Sequence, residues 1–264
     1  MELKFDEKEH KYTVGDRILQ SVTEFIGDFF APFNAEEIAE KLSKLPKNKG
    51  KTKDDFLEEW KGRSEHGTRV HNAIENYTNG SGWFSMSYED ILKYHEAVRF
   101  LDTRWGDFVK EEAELKLFDL DYGLAGTIDR VEYHPDNTIS LIDWKTNNKI
   151  HMIGFQGQKA KKPLEDLDDC SYNKYMLQLN IYAFLLLKQL NKNRKKKLKV
   201  RELLLVHLTT EGYNVFNIKY DEKLVEKILK QRLNNNDKKQ KETNTGNKPR
   251  RGGSNARKNT KERT

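Results

Sequence analysis

The run Leu141-Ile142-Asp143-Trp144-Lys145-Thr146 sets a carboxylate and an ammonium two positions apart among apolar and β-branched neighbours. In a strand, that spacing puts Asp143 and Lys145 on one face and Ile142 and Trp144 on the other. Such a pair suits phosphodiester hydrolysis. The carboxylate can hold a hard divalent cation through oxygen, and the lysine can position or help activate water and offset charge on a phosphorane-like transition state. Upstream, Gly126-Thr127-Ile128-Asp129 supplies a second carboxylate. The turn cluster Tyr133-His134-Pro135-Asp136-Asn137 predicts a hairpin that sets Asp129 across from Asp143. Two carboxylates a few Å apart repel, and a bound cation is the usual compensation. Taken alone, Asp-x-Lys also fits a surface ion pair on an edge strand.

Two further groups bear on the choice. Gly67, His71 and Glu75 recur every fourth residue, on one face of a predicted helix. A glycine inside a helix costs about 1 kcal/mol relative to alanine, and close approach of another backbone or of substrate would explain it. His71 could ligate a metal through a ring nitrogen or be a hydrogen-bonded core histidine. Gln178 and Tyr182 lie one turn apart on an otherwise apolar helix, where a buried amide and phenol need partners or belong to ordinary amphipathic packing.

The elements that must position these residues can be read in order. A hairpin opens the chain, Leu3-Lys4-Phe5 with Lys11-Tyr12-Thr13-Val14. Helical patterns follow at about 35–45, 53–62, 65–79 and 88–106. Strands are predicted at 108–118, 123–133 and 138–145, then a long mixed-charge loop at 147–171 and a helix at 172–191. Strands at 202–209 and 214–220 precede a last helix ending near 233. This order suggests an α/β (α+β) domain with a mixed central sheet flanked by helices. We divide the chain into a domain over 1–233, comprising an N-terminal part (1–62) and a core (63–220), and a disordered basic tail over 234–264.

Charge supports that division. The net charge is +6, but residues 234–264 carry ten Lys or Arg against three Asp or Glu, a net +7, which leaves about −1 for residues 1–233. The tail, which includes Arg250 and Arg251, has no hydrophobic period to support ordering. A second basic run, Arg194-Lys195-Lys196-Lys197, stands between two ordered segments. Both read either as solubility or localisation devices or as phosphate-attracting surfaces. In the 147–171 loop, Phe155 with Lys159, Lys161 and Lys162 could cover a single strand, and a flexible linker fits equally. No run of about 18 apolar residues offers a membrane span, and the N-terminus lacks the pattern of a secretory signal. The single cysteine, Cys170, excludes an intramolecular disulfide framework and a four-cysteine iron–sulfur site. These features predict an intracellular, soluble protein that is not secreted.

Gly-x-x-x-His-x-x-Ile-Glu, Gly-x-Ile-Asp, Ile-Asp-Trp-Lys-Thr and Gln-x-x-x-Tyr occur in that order over residues 65–190. This series resembles the RecB-like branch of the PD-(D/E)XK nuclease superfamily, which includes nuclease domains of bacterial recombination helicase–nucleases and the mitochondrial genome maintenance exonuclease. Ser21-Val22-Thr23-Glu24-Phe25 is also similar to the opening segment of such proteins. Pro163 to Leu167 leading into Tyr175 to Leu179 resembles phage and viral members. The resemblance implies a restriction-endonuclease-like fold and Mg²⁺- or Mn²⁺-dependent DNA cleavage, as an exonuclease at DNA ends or as a structure-specific endonuclease. An inert nucleic-acid-binding module is the third alternative. It further implies that His71, Asp129, Asp143 and the Trp144 carbonyl hold one or two ions, and that Lys145 is the catalytic lysine. Gln178 and Tyr182 would orient the lysine or contact the strand, Glu75 and Gly67 would support the first motif, and Glu114 is an additional acidic candidate. The expected partners are DNA and, because no helicase motif is present, a separate helicase or a replication or recombination protein. The Pro-Asp element is missing before Asp129, where Thr127-Ile128 stands, and the cysteines of the iron–sulfur subgroup are absent.

Overall fold

The computed structural model describes residues 2–6, 9, 11–81 and 86–245, with side chains through residue 233. Among them run the strands β1 (Leu3–Asp6), β2 (Lys11–Val14), β3 (Arg17–Ser21), β4 (Lys110–Asp119), β5 (Leu124–Tyr133), β6 (Thr138–Lys145), β7 (Lys199–Leu208) and β8 (Tyr213–Asn217). The helices are α1 (Val22–Gly27), α2 (Ala35–Ser43), α3 (Lys53–Asn79), α4 (Tyr88–Asp102), α5 (Ser171–Asn191) and α6 (Glu222–Thr245). The strands form one sheet in the order β1-β2-β3-β5-β6-β7-β8, with β4 paired to β5. It is mixed: β3 runs parallel to β5 and β6 to β7, whereas the other pairs are antiparallel. A parallel β6–β7 pair requires a crossover, and α5 supplies it.

Helices cover both faces of the central strands. Ile139 and Leu141 of β6 and Leu203 and Leu205 of β7 pack with α1, α5 and α6. Their neighbours Ile142, Trp144, Leu204 and Val206 pack with Val70 and Ile74 of α3 and Phe100 and Leu101 of α4. Burial on both faces explains why β6 and β7 read as nearly continuous apolar runs. Side chains on β6 that are neither apolar nor small must therefore sit in the interior, which is the setting of Asp143.

Four features differ from expectation. The patterns at 53–62 and 65–79 form one helix, α3, closed at its start by the Thr52/Asp55 capping box and at its end by Gly80 at φ 66°. Its cost at Gly62 and Gly67, about 1 kcal/mol each, is outweighed by the continuous turns on either side. Strand β3 and helix α1 occupy a stretch with no predicted element, and Ser21 caps α1 through a reciprocal bond with Glu24. Helix α6 continues to Thr245, past the boundary at 233, so the predicted tail begins in helix, and residues 246–264 lie outside the described residues. The 147–171 loop is no free linker: Ile150, Ala160 and Leu164 are buried in the core.

Candidate active site

Strands β5 and β6 stay paired from Tyr133↔Ile139 to Arg130↔Ile142, where the ladder ends. Beyond it the Trp144 N–H donates to Asp129 Oδ2 at 2.8 Å, so a side chain takes the place of a backbone acceptor as the strands part. Asp143 stands opposite Asp129 at this opening, only 2% exposed. Lys145 Nζ lies 2.6 Å from Asp143 Oδ2, yet that oxygen has no partner in hydrogen-bonding geometry. The distance identifies an ion pair. The Lys145 ammonium also rests over the ring of Tyr175 on α5, 4.6 Å from its centre.

Helix α3 brings His71 to the same opening, with Nδ1 3.5 Å from Asp129 Oδ2. Strand β4 brings Glu114. Its backbone takes φ 49°, in the left-handed region that non-glycine residues rarely adopt. The β4–β5 ladder skips the Glu114–Asp129 position between Ala113↔Arg130 and Leu115↔Ile128. The kink lets both carboxylates turn toward α3. Ligand atoms of His71, Glu114 and Asp129 all lie within 4.8 Å of one another. Glu75, one turn beyond His71, lines the same narrow crevice with Trp144.

Burial and mutual repulsion govern ionisation here. Desolvation, with Asp129 and Glu75 adding to it, pushes Glu114 up to about 8. Burial raises Asp143 to about 6 against the pull of Lys145, and it raises Asp129 too. Burial and the neighbouring Lys145 lower His71 to about 4, so at neutral pH its imidazole is uncharged and its contact with Asp129 is not an ion pair. A neutral imidazole is the form that ligates metal. Burial disfavours the Lys145 ammonium, but Asp143 and Asp129 outweigh it and raise the lysine above its ordinary value.

A profile of the PD-(D/E)XK nuclease superfamily matches residues 35–259. The chain belongs to this superfamily. No curated protein matches the sequence. Among solved structures, a candidate exonuclease from Eubacterium rectale is similar at 13% identity, over 88% of this chain and 83% of that one, with a TM-score of 0.47. The protein SSO0001 is similar at 14% identity over 62% of this chain and 71% of that one, with a TM-score of 0.29.

In this nuclease the remaining predicted site residues divide. A methyl group at Gly67 would stand 3.1 Å from Thr146 Oγ1, so the glycine admits the chain that follows Lys145. Gln178 Nε2 donates to Tyr182 Oη at 3.4 Å. Tyr182 is 4% exposed and packs against Gly126. Besides Asp143, the Lys145 ammonium rests against Tyr175, which local pattern did not single out although it lies three residues before Gln178 on the same helix.

Sequence reading also missed Lys93, 3% exposed, which donates to the Thr146 carbonyl at 2.8 Å and pins the end of β6. Nothing near Lys93 in the sequence signals that role. The run Arg194 to Lys197 is exposed, but it precedes Lys199, which pairs with Thr138 at the start of β6. Lys145 ends that strand, so roughly 20 Å separates the basic run from the site. Lys159 pairs with Asp168 at 2.7 Å, Lys161 Nζ donates to the Asp28 carbonyl at 3.3 Å, and Lys162 is exposed. Arg250 and Arg251 lie outside the described residues. Among the described residues no helix is long and apolar enough to cross a membrane.

Proposed function

We propose that this nuclease is a Mg²⁺- or Mn²⁺-dependent DNA exonuclease of the RecB-like branch, acting at strand ends in replication, recombination, repair or viral genome processing. The observation that carries the reading is the convergence of His71, Glu114 and Asp129 beside the buried Asp143–Lys145 pair. The donor set fits a divalent cation. It offers hard carboxylate oxygens, the buried Asp143 among them, and one neutral imidazole. His71, Glu114, Asp129 and Asp143 would hold it, with the Trp144 carbonyl nearby. A bound cation supplies Lewis-acid polarisation of the phosphoryl group and lowers the pKa of bound water.

The chain's own groups do the rest. Without a cation, Asp143 and Asp129 raise the Lys145 pKa, and a protonated lysine is suited to offset charge developing on the phosphoryl oxygens. Tyr175 and the Asp143 carboxylate hold its ammonium in place. Lys93, Gly67 and the His207 bond to the Asn147 carbonyl fix the chain immediately after it. Any unwinding falls to a separate helicase or recombination partner, and the place of action on this reading is the cytoplasm, nucleoid or nucleus.

The test uses 5′- and 3′-labelled linear and circular DNA, single- and double-stranded, with Mg²⁺ or with EDTA. Linear DNA should be degraded from an end only with the cation, and circular DNA should survive. Lys145→Ala and Asp143→Asn should each lower the rate at least about a hundredfold, the scale of one lost transition-state contact. Cleavage of circles would establish an endonuclease instead, and equal rates in variants and unaltered protein would remove the site from the chemistry.

A further inference from the structure

Met152, Ile153 and Phe155 are 50%, 71% and 73% exposed, on the loop that leaves β6 directly after Lys145. Three large apolar side chains in four residues, each half or more exposed, mark a contact surface. The loop that carries them is built, not slack. The Gly157 N–H bonds the Gly154 carbonyl at 3.0 Å and the Gln158 N–H bonds the Phe155 carbonyl at 3.0 Å, closing a tight turn with Phe155 near its apex. Gln156 is held at φ 51° inside that turn, a strained conformation for a residue with a side chain. At Gly154 a methyl group would meet the Gln158 carbonyl at 2.1 Å, so no other residue fits.

The turn is fastened to the site. The Tyr172 N–H bonds the His151 carbonyl at 3.1 Å, and Tyr175, one turn further along α5, is the ring under the Lys145 ammonium. The apolar tip and the catalytic lysine therefore sit at the same end of α5. Lys149, which stands between them in the sequence, is exposed.

We infer that Met152, Ile153 and Phe155 form a platform on which unpaired bases of the substrate strand stack while its backbone lies at Lys145, so that the preferred substrate is a single-stranded end. This inference rests on the nuclease reading and refines it. Phosphate contact alone cannot explain a rigid, exposed apolar tip, whereas every base has a π-face that can rest on an aromatic ring. A duplex end hides those faces in its own stack and offers the platform only the terminal pair.

The experiment measures binding of a fluorescent oligothymidylate and of an abasic strand of equal length, with Ca²⁺ replacing Mg²⁺. The unaltered chain should hold the base-bearing strand about tenfold or more tightly than the abasic one. In a Phe155→Ala, Ile153→Ser double variant that ratio should fall toward one. Both positions are exposed, so thermal melting should show the variant folded. A ratio near one in the unaltered chain, or one unchanged by the substitutions, overturns the platform. Cleavage of the same oligothymidylate in Mg²⁺ separates the two readings. Cleavage with base-independent binding defeats the platform and leaves the nuclease standing, while base-dependent binding without cleavage does the reverse.

Discussion

Glu114, Asp143 and Asp129 are carboxyls held above their ordinary pKa chiefly by burial, and that has a measurable sign. Glu114 titrates at about 8 in the folded chain and in the ordinary carboxylate range when unfolded. Between those values the folded chain binds more protons, so its contribution to stability is complete at low pH and is lost as pH rises through about 8. Asp143, at about 6, acts in the same direction over a lower window. A divalent cation needs the deprotonated forms, so it should stabilise more as pH rises. In EDTA, the melting temperature should fall from about pH 6 to about pH 9, and Mg²⁺ should restore most of the loss. Glu114→Gln should flatten the EDTA profile above about pH 7 and weaken the Mg²⁺ effect. A profile identical in the Gln variant would show that Glu114 is not the titrating group.

At the scale of elements, the glycine of Gly-x-Ile-Asp and the tyrosine of Gln-x-x-x-Tyr turn out to be one contact. A methyl group at Gly126 would stand 2.5 Å from Tyr182 Cε1, and that ring is buried on α5 with little room to retreat. Gly126→Ala should therefore cost about 1–3 kcal/mol through overpacking and shift β5, three residues before Asp129. Differential scanning calorimetry with and without Mg²⁺ checks both parts: a lower melting temperature and a smaller cation-induced rise. Tyr182→Phe, which loses only the 3.4 Å bond from Gln178, should cost no more than about 1 kcal/mol. Neither half of that contact announces the other in the sequence. Elements with strong local period, such as β5, β6 and α5, were legible, and so were Asp129, Asp143 and Lys145. Strand β3 was not: it pairs locally with β2 but enters the central sheet only through two residues paired with β5, a hundred positions away. The joining of 53–62 to 65–79 was hidden by Gly62, whose local cost the caps and packing of α3 override. Glu114 could be suspected as an acid, but only the kink at its own backbone turns it toward His71.

Across the whole molecule, charge and chemistry are kept apart. The body of residues 1–233 sums to about −1, and its site gathers carboxyls that repel phosphate until a cation is bound. The basic run at 194–197 stands at the far end of β6, roughly 20 Å from the site. Most of the excess positive charge lies after residue 233. Long-range attraction to DNA should accordingly reside in the C-terminal segment and be separable from catalysis. Because α6 runs to Thr245, truncation belongs at 246 rather than inside the helix. It removes seven Lys or Arg and one Glu. If all seven cations meet a single strand, the slope of log affinity against log salt should flatten by up to about 5, at ~0.7 per contact. The turnover number at saturating DNA should stay near that of the full chain, because no group of the site is lost. Binding measured across a salt series decides the matter: an unchanged slope would assign the segment to solubility or localisation and leave the body to find its DNA unaided.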